Sequence, residues 1–487
     1  MPDDAPFAAG LDALAARVRD DLARIAHPRL PWMEPVAGPD GKPALDVLIV
    51  GGGQSGVAIA HGLMRAHVDN VLVVDKAPRG LEGPWLTYAR MPTLRSPKDY
   101  TGPDLDLPSL AYQSWHEAVY GPAHWQALEL ITRQDWAAYL LWVRDVTGVP
   151  VANETELVDI APVEGLLEAR FAGGGVRYAR KIVLATGQDG GGTWWMPDFV
   201  AALPVHVRAH TADPIDFAAL RGRRVAVLGA GASALDNAAM ALEAGARDVA
   251  LFCRRAEPQV IQPFRWLTFA GFLRHLSDLD DAWRWRFMSH ILGLREGFPQ
   301  PTWDRCARHP AFRLLTGRPW TGARMAGDAV LIDTPAGPHE ADFLICGTGI
   351  MIDFAARPEL GRCAGNIARW RDRYDPQPAE ADGDPDGKAD GEADDRLADF
   401  PYLGPDFALL PRQPGLTDWM RDVHMFNIAS TMSFGPSGAS INAMTTAVPK
   451  LVSGLTRGLF TADVEKHWRS LRDYDVPQAI LTERKTP

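Results

Sequence analysis

Cysteine is scarce in this sequence. Its 487 residues hold four, at positions 253, 306, 346 and 363, and no two stand in C-x-x-C spacing. That argues against a disulfide framework, a zinc site and a redox-active dithiol. Long apolar runs are missing as well: none approaches the roughly 18 residues that span a bilayer. The first ten residues, MPDDAPFAAG, carry acids where a secretion signal carries bases. Basic excess is the third absence. Lys and Arg number 50 against 61 Asp and Glu, a formal net charge of −11. Nucleic acid is therefore not the expected partner. A cytoplasmic protein of two or three domains is expected, with no metal, acting on a small molecule and with room for a homo-oligomer.

What is present is organised around DVLIVGGGQSGVAIAHGLMRAHVDNVLVVDK, from Asp46 to Lys76. It reads as strand, glycine turn, helix and second strand. Gly51, Gly53 and Gly56 stand in G-x-G-x-x-G spacing. The first glycine allows the tight turn, the second lets the backbone approach a pyrophosphate, and the third lets the helix pack on the strand. The pyrophosphate sits at the helix N-terminus, near Gln54 and Ser55. Asp75, followed by Lys76, ends the second strand and accepts from a ribose hydroxyl.

The arrangement occurs a second time. Arg223 to Leu228 reads as a strand, Gly229-Ala230-Gly231-Ala232-Ser233-Ala234 as the turn, and Val249 to Phe252 as the next strand. This copy ends differently, on Cys253-Arg254-Arg255, with no acid. A carboxylate there would repel a 2′-phosphate, whereas arginine would clamp it. One such charged hydrogen bond corresponds to about a ten- to hundredfold preference for NADPH over NADH. An acid-ended site and an arginine-ended site in one chain imply two cofactors, FAD in the first and NADPH in the second. Such a pairing serves hydride transfer from nicotinamide to flavin.

The fold class expected is α/β, with two Rossmann-like dinucleotide-binding domains, the FAD domain discontinuous and the NADPH domain inserted, plus a mostly helical insertion. The boundaries read as 1–44 for an N-terminal helix and linker, 45–200 and 336–487 for the FAD domain, and 201–335 for the NADPH domain. The helical insertion covers 256–325. Leu11, Leu14, Val18, Leu22 and Ile25 mark one apolar helix face, packed on the first domain or held at a dimer contact. Thr132 with Asp135 resembles a capping box. Residues 375–399 hold ten acids against two bases and read as a solvated surface loop.

These residues resemble the class B flavoprotein monooxygenases. The resemblance rests on both fingerprints, on Ala185-Thr186-Gly187 before the second domain, on Cys346-Gly347-Thr348-Gly349 after it, and on Gly83-Pro84-Trp85. It covers roughly 46 to 360. The longer signature F-x-G-x-x-x-H is absent, which sets the chain apart from the Baeyer–Villiger and animal-type members. The resemblance implies a monooxygenase in which NADPH reduces FAD and a C4a-(hydro)peroxyflavin delivers one oxygen from O2 to an amine or heterocycle. It adds Trp85, Thr186, Gly187 and Gly349 to the cofactor-binding set. It makes Arg95 and Lys98, in TLRSPKDYTGP, and His210 the catalytic candidates. Arg95 faces an anionic or carbonyl-rich substrate, or stands in a structural ion pair. Lys98 bonds a flavin or nicotinamide group. His210 orients NADP⁺ or shuttles a proton, or is a plain histidine before a strand. The loop Ser433 to Asn442 has residues small enough to approach the flavin ring, or is a simple turn. Two other readings stay open: an NADPH-dependent flavin reductase, and a flavoprotein that binds nucleotide without catalysis.

Overall fold

The computed structural model describes residues 5–100, 102–376 and 391–481. Two parallel-based sheets carry the chain. The first runs Val151–Ala152, Val71–Val74, Leu45–Val50, Val176–Gly187, Leu166–Phe171, Leu157–Val163. Its spine is the long strand Val176–Gly187. The first part of this strand pairs antiparallel with Leu166–Phe171. Its second part lies parallel between Leu45–Val50 and the late strand Val423–Asn427. Ile182, Val183 and Leu184 are thus enclosed by strands on both sides and are buried. That is why the run is continuously apolar instead of alternating.

The second sheet is wholly parallel, in the order Phe312–Leu315, Asp248–Phe252, Arg224–Leu228, Phe343–Cys346, Arg208–His210. Its core gathers Val225, Val227, Ala238, Leu242, Val249 and Ile345. The chain crosses between the sheets twice, and the two crossings meet: Gly192–Trp194 pairs antiparallel with Ile350–Ile352.

Several expectations are refined by these pairings. The second sheet takes in Phe343–Cys346, beyond the boundary expected at 335. That strand follows a small antiparallel sheet, Gly322–Ala326, Ala329–Asp333 and His339–Ala341. Only its partner, not its composition, assigns it. The helical insertion ends at Ala307, because Phe312–Leu315 forms the edge strand beside Asp248–Phe252. Its helices Pro263–Trp266, Ala270–His275 and Asp281–Leu294 share a core with the C-terminal part through Trp285, Met288, Trp370 and Met432, whereas Gln300–Ala307 buries Cys306 in the core of the second sheet. The acidic stretch is not all loop. Residues 377–390 lie outside the described residues, but Gly391–Ala398 is a helix that buries Leu397 in that core.

The N-terminal helix spans Ala5–Arg24 and buries Leu14 and Val18 against the first domain's core, while Ile25 falls past its end and is exposed. That face packs on the first domain's core. Thr132 caps Arg133–Thr147 by accepting from the Asp135 amide at 3.0 Å. The Asp135 carboxylate turns away to accept from the Tyr120 hydroxyl, so only half of the box forms. No helix among the described residues is long and apolar enough to cross a membrane.

Candidate active site

The first glycine turn leaves Leu45–Val50 with Gly51 at φ 110°, where a Cβ would lie 2.3 Å from the Ala185 carbonyl oxygen. A side chain is excluded twice there, by conformation and by space. A Cβ on Gly56 would meet the Gly51 oxygen at 1.8 Å, so the helix Gln54–Arg65 can pack this closely only with glycine. Gly53 has the opposite surroundings: its Cβ position is open, with only the Gly83 Cα at 4.0 Å. This is the approach surface a pyrophosphate needs, at a helix N-terminus whose first N–H groups have no intrahelical acceptor.

The side chains at this turn face inward. Gln54 accepts from the Trp136 indole at 3.3 Å, and Ser55 donates to the Gly438 carbonyl at 2.9 Å. Trp85 packs edge-on to Trp136, 6.3 Å between centroids. At the end of the second strand, Asp75 accepts from the amides of Gly52 at 2.6 Å and Ala77 at 2.7 Å. Burial raises its pKa and these two bonds oppose the rise. Each carboxylate oxygen keeps a lone pair for a ribose hydroxyl. Lys76 is exposed, 3.7 Å from the Asp189 carboxylate. Thr186 accepts from the Asn427 amide at 3.1 Å, and that same amide donates to the Gly190 carbonyl at 3.2 Å.

The second turn repeats the first almost to the degree. Gly229 has φ 108°, and its Cβ would lie 2.4 Å from the Gly347 oxygen, while Gly231 faces open space. Ala232 and Ser233 begin the helix Ala232–Glu243, Ala232 buried and Ser233 exposed. The third small position differs. Ala234 carries a Cβ, and the room for it comes from the facing strand end, where a Cβ on Gly347 would meet it at 2.5 Å. Arg254 is exposed at the strand end. Arg255 donates to the carbonyls of Gly293 at 2.9 Å and Leu294 at 3.2 Å.

The three catalytic candidates take separate surroundings. His210 ends its strand at the carboxyl edge of the second sheet, with Thr211 N donating to the Cys346 carbonyl at 3.0 Å. Its ring lies 5.1 Å from Trp194, Nδ1 accepts from the Ala212 amide at 3.2 Å, and Nε2 is buried without a partner. Burial pushes its pKa down to about 4, so the ring is neutral near pH 7. Arg95 donates to the Asp236 carboxylate at 2.6 Å. That carboxylate is buried in the second fingerprint helix and also meets Arg305 at 3.3 Å and the Thr302 hydroxyl at 3.2 Å. Of the two duties expected of Arg95, the structure shows the ion pair, and it joins one domain's loop to the other's helix. Lys98 donates to the carbonyls of Trp125 and Leu128, both at 2.7 Å, and lies over the Trp125 ring. These contacts tie down the aromatic loop.

Sequence reasoning missed Asn427, Gly438, Asp236 and the triad Glu82, Arg144 and Asn153. Arg144 donates to Glu82 at 2.9 Å and Asn153 at 3.0 Å, beside the cleft lined by Gly52, Gly53 and Trp85. The first three act across 66 to 383 residues of chain, where no local motif reports them. Gly438 had one signal, the small-residue loop that contains it. Its Cβ would lie 2.2 Å from the Phe426 carbonyl.

Residues 48–268 match the family described as pyridine nucleotide-disulphide oxidoreductase. An FAD-dependent urate hydroxylase of Xanthomonas campestris is 41% identical over 473 residues, which cover 96% of this chain and 97% of the relative. Among solved structures, the ornithine N-hydroxylase of Kutzneria sp. 744, with reduced FAD, NADP⁺ and L-ornithine, matches with TM-score 0.63 at 16% identity, over 85% of this chain and 100% of that one. The L-lysine 6-monooxygenase of Pseudomonas syringae matches with TM-score 0.63 at 17% identity, over 85% and 99%. The two structures share the fold, and the hydroxylase shares the sequence almost from end to end: the chain belongs to the family of the FAD-dependent urate hydroxylase.

Proposed function

We propose that this chain is an NADPH-dependent FAD monooxygenase that hydroxylates a small polar nitrogenous substrate, with urate the first candidate. The observation that carries the reading is the pair of turns with matching backbone, one ending on the amide-held Asp75 and the other on Arg254 and Arg255. The urate hydroxylase relative supports the choice of substrate. In this reading the FAD domain comprises 45–200 and the part after Cys346, and the NADPH domain lies between them.

FAD reduced by NADPH supplies the activation of dioxygen and the transfer of one oxygen atom. The chain does the rest. The amides at Gly53 to Ser55 hold the flavin's pyrophosphate and Asp75 its ribose. Thr186, Gly187, Asn427 and the Gly438 turn fix the backbone around the flavin. Gly229, Gly231 and the following amides hold the second pyrophosphate, and the arginines bind the 2′-phosphate. His210, neutral and packed on Trp194, stands beside Gly349 at the edge of the second sheet. Arg95 and Lys98 act as positioning groups through Asp236 and the 125–128 turn. The Trp-rich insertion covers the C-terminal loop and excludes water.

The reductase reading gains support from the description of the matching family, a pyridine nucleotide-disulphide oxidoreductase. The thiols oppose its dithiol form: all four cysteines are buried and unbonded, and burial pushes Cys306, Cys346 and Cys363 up to about 12. The test is to supply the purified yellow protein with NADPH and follow oxygen uptake and urate loss together, with ornithine and lysine as alternative substrates. Oxygen uptake and urate loss in equal amounts support the proposal. Flavin reduction without oxygen uptake supports the reductase.

A further inference from the structure

Four arginines from three separate parts of the chain gather at the carboxyl edge of the second sheet. Arg254 and Arg255 end the strand Asp248–Phe252. Arg255, by donating to the Gly293 and Leu294 carbonyls, draws the end of the helix Asp281–Leu294 alongside. There Arg295 leaves the helix with φ 68° and ψ 169°. This is backbone that glycine adopts freely and an L side chain only under strain. The fourth, Arg396, belongs to Gly391–Ala398 and lies over the Trp195 ring at 4.9 Å. Trp195 N in turn donates to the Gly349 carbonyl at 2.9 Å, so Arg396 arrives beside the other strand end that borders the second turn.

These groups repel one another. Desolvation, then the positive charges of Arg254, Arg396 and Arg255, lower the pKa of Arg295. Its side chain nevertheless remains exposed. Folding alone favours neither the left-handed arginine nor the crowd of like charges. A glycine at 295 would relieve both. The arrangement makes sense where an anion enters: strained residues persist at binding sites because the surroundings hold them for that purpose, and guanidinium forks match phosphate geometry.

We propose that Arg295 and Arg396 are further cofactor-specificity residues, completing with Arg254 and Arg255 a collar that reads the 2′-phosphate of NADPH. The inference rests on the NADPH reading above and extends it to two segments outside the fingerprint, one in the insertion and one in the helix after the acidic stretch. It also gives that helix a task, since through Arg396 the C-terminal part of the chain helps to hold the nucleotide of the other domain.

The test uses the FAD-loaded protein and two probes, 2′,5′-ADP and 5′-AMP, which differ in the 2′-phosphate. Binding is measured by calorimetry, and melting is followed without nucleotide. For wild type, 2′,5′-ADP binds more tightly than 5′-AMP. Arg295→Gly lowers that preference about tenfold or more, while melting without nucleotide stays the same or rises, because strain and repulsion are relieved. Arg396→Gln lowers the preference by a smaller factor. A wild-type preference that survives both substitutions overturns the collar alone. A wild type that binds the two probes equally overturns the NADPH reading and the collar with it.

Discussion

The two glycine turns are near copies in backbone and opposites in surroundings. Gly51 and Gly229 differ by 2° in φ, taking 110° and 108°, and their absent Cβ atoms would strike carbonyl oxygens at 2.3 and 2.4 Å. Around the first, carboxylate and amides close on Asp75. Around the second, guanidinium groups gather. The third small position differs in kind. In the first copy the helix itself gives way, through Gly56. In the second the helix keeps Ala234 and the opposite strand end gives way, through Gly347. Tight packing of helix on strand thus constrains the sum of two side chains, and either partner can be the one without a Cβ. What distinguishes the sites chemically lies outside the turn, at the strand ends.

The strongest way to break the comparison is to block each turn in a separate variant. Gly51→Val places a branched side chain against Ala185, and the protein should purify colourless, with melting well below wild type. Gly229→Val should keep the yellow flavin and lose reduction by NADPH. If both variants keep flavin, or both lose it, the assignment of the two turns fails; absorbance of the purified proteins and anaerobic reduction decide. The next largest effect belongs to the strand end. Arg254→Gln should raise KM for NADPH about ten- to hundredfold and leave NADH nearly unchanged in steady-state assays. An equal rise for both nucleotides would refute the 2′-phosphate role.

A subtler test concerns the exchange of small residues. Gly347→Ala should destabilise by about 1–3 kcal/mol through overpacking against Ala234. Ala234→Gly in the same chain should recover most of the loss, measured as melting of the two single variants and the double variant. No recovery would mean that the two positions do not share one space. The smallest expected effect is acid sensitivity, and here the two domains should behave alike. His61 in the first fingerprint helix, His424 in the first sheet and His210 at the edge of the second are buried and pushed down to about 4. A folded-state pKa below the unfolded value of about 6.5 means that the unfolded chain binds these protons first. Stability is therefore full above pH 6.5 and falls as the pH drops toward 4. His210→Gln should flatten that fall by roughly the share of one histidine among three, read from denaturant midpoints across the window.

The turns and strand ends were legible because their signals are local. A glycine triplet, an apolar run and a terminal acid sit within 31 residues, Asp46 to Lys76. The same holds for the cap at Thr132. The partners that complete the site were not legible. Gly438 meets Ser55 across 383 residues, and Asn427 reaches Thr186 across 241. Arg95 could be read as substrate-facing or as ion-paired, and only the packing of the second helix brings Asp236 within 2.6 Å. Arg295 shows the limit most sharply. In sequence it is one arginine in a basic insertion, whereas the backbone angle that makes it unusual exists only in three dimensions. The strand Phe343–Cys346 gave its type but not its sheet, because four apolar residues fit either core.

The paired crossings Gly192–Trp194 and Ile350–Ile352 have a mechanical consequence. Two separate connections would let the domains slide, tilt and drift apart. Stitched side by side, with a Cβ on Gly192 only 2.0 Å from the Met351 oxygen, they act as a single hinge pin. Such a pin permits swinging about its own axis and resists sliding along it. The pairing thus acts as a spine that holds the two sheets, and the glycine turns they carry, in register along its length.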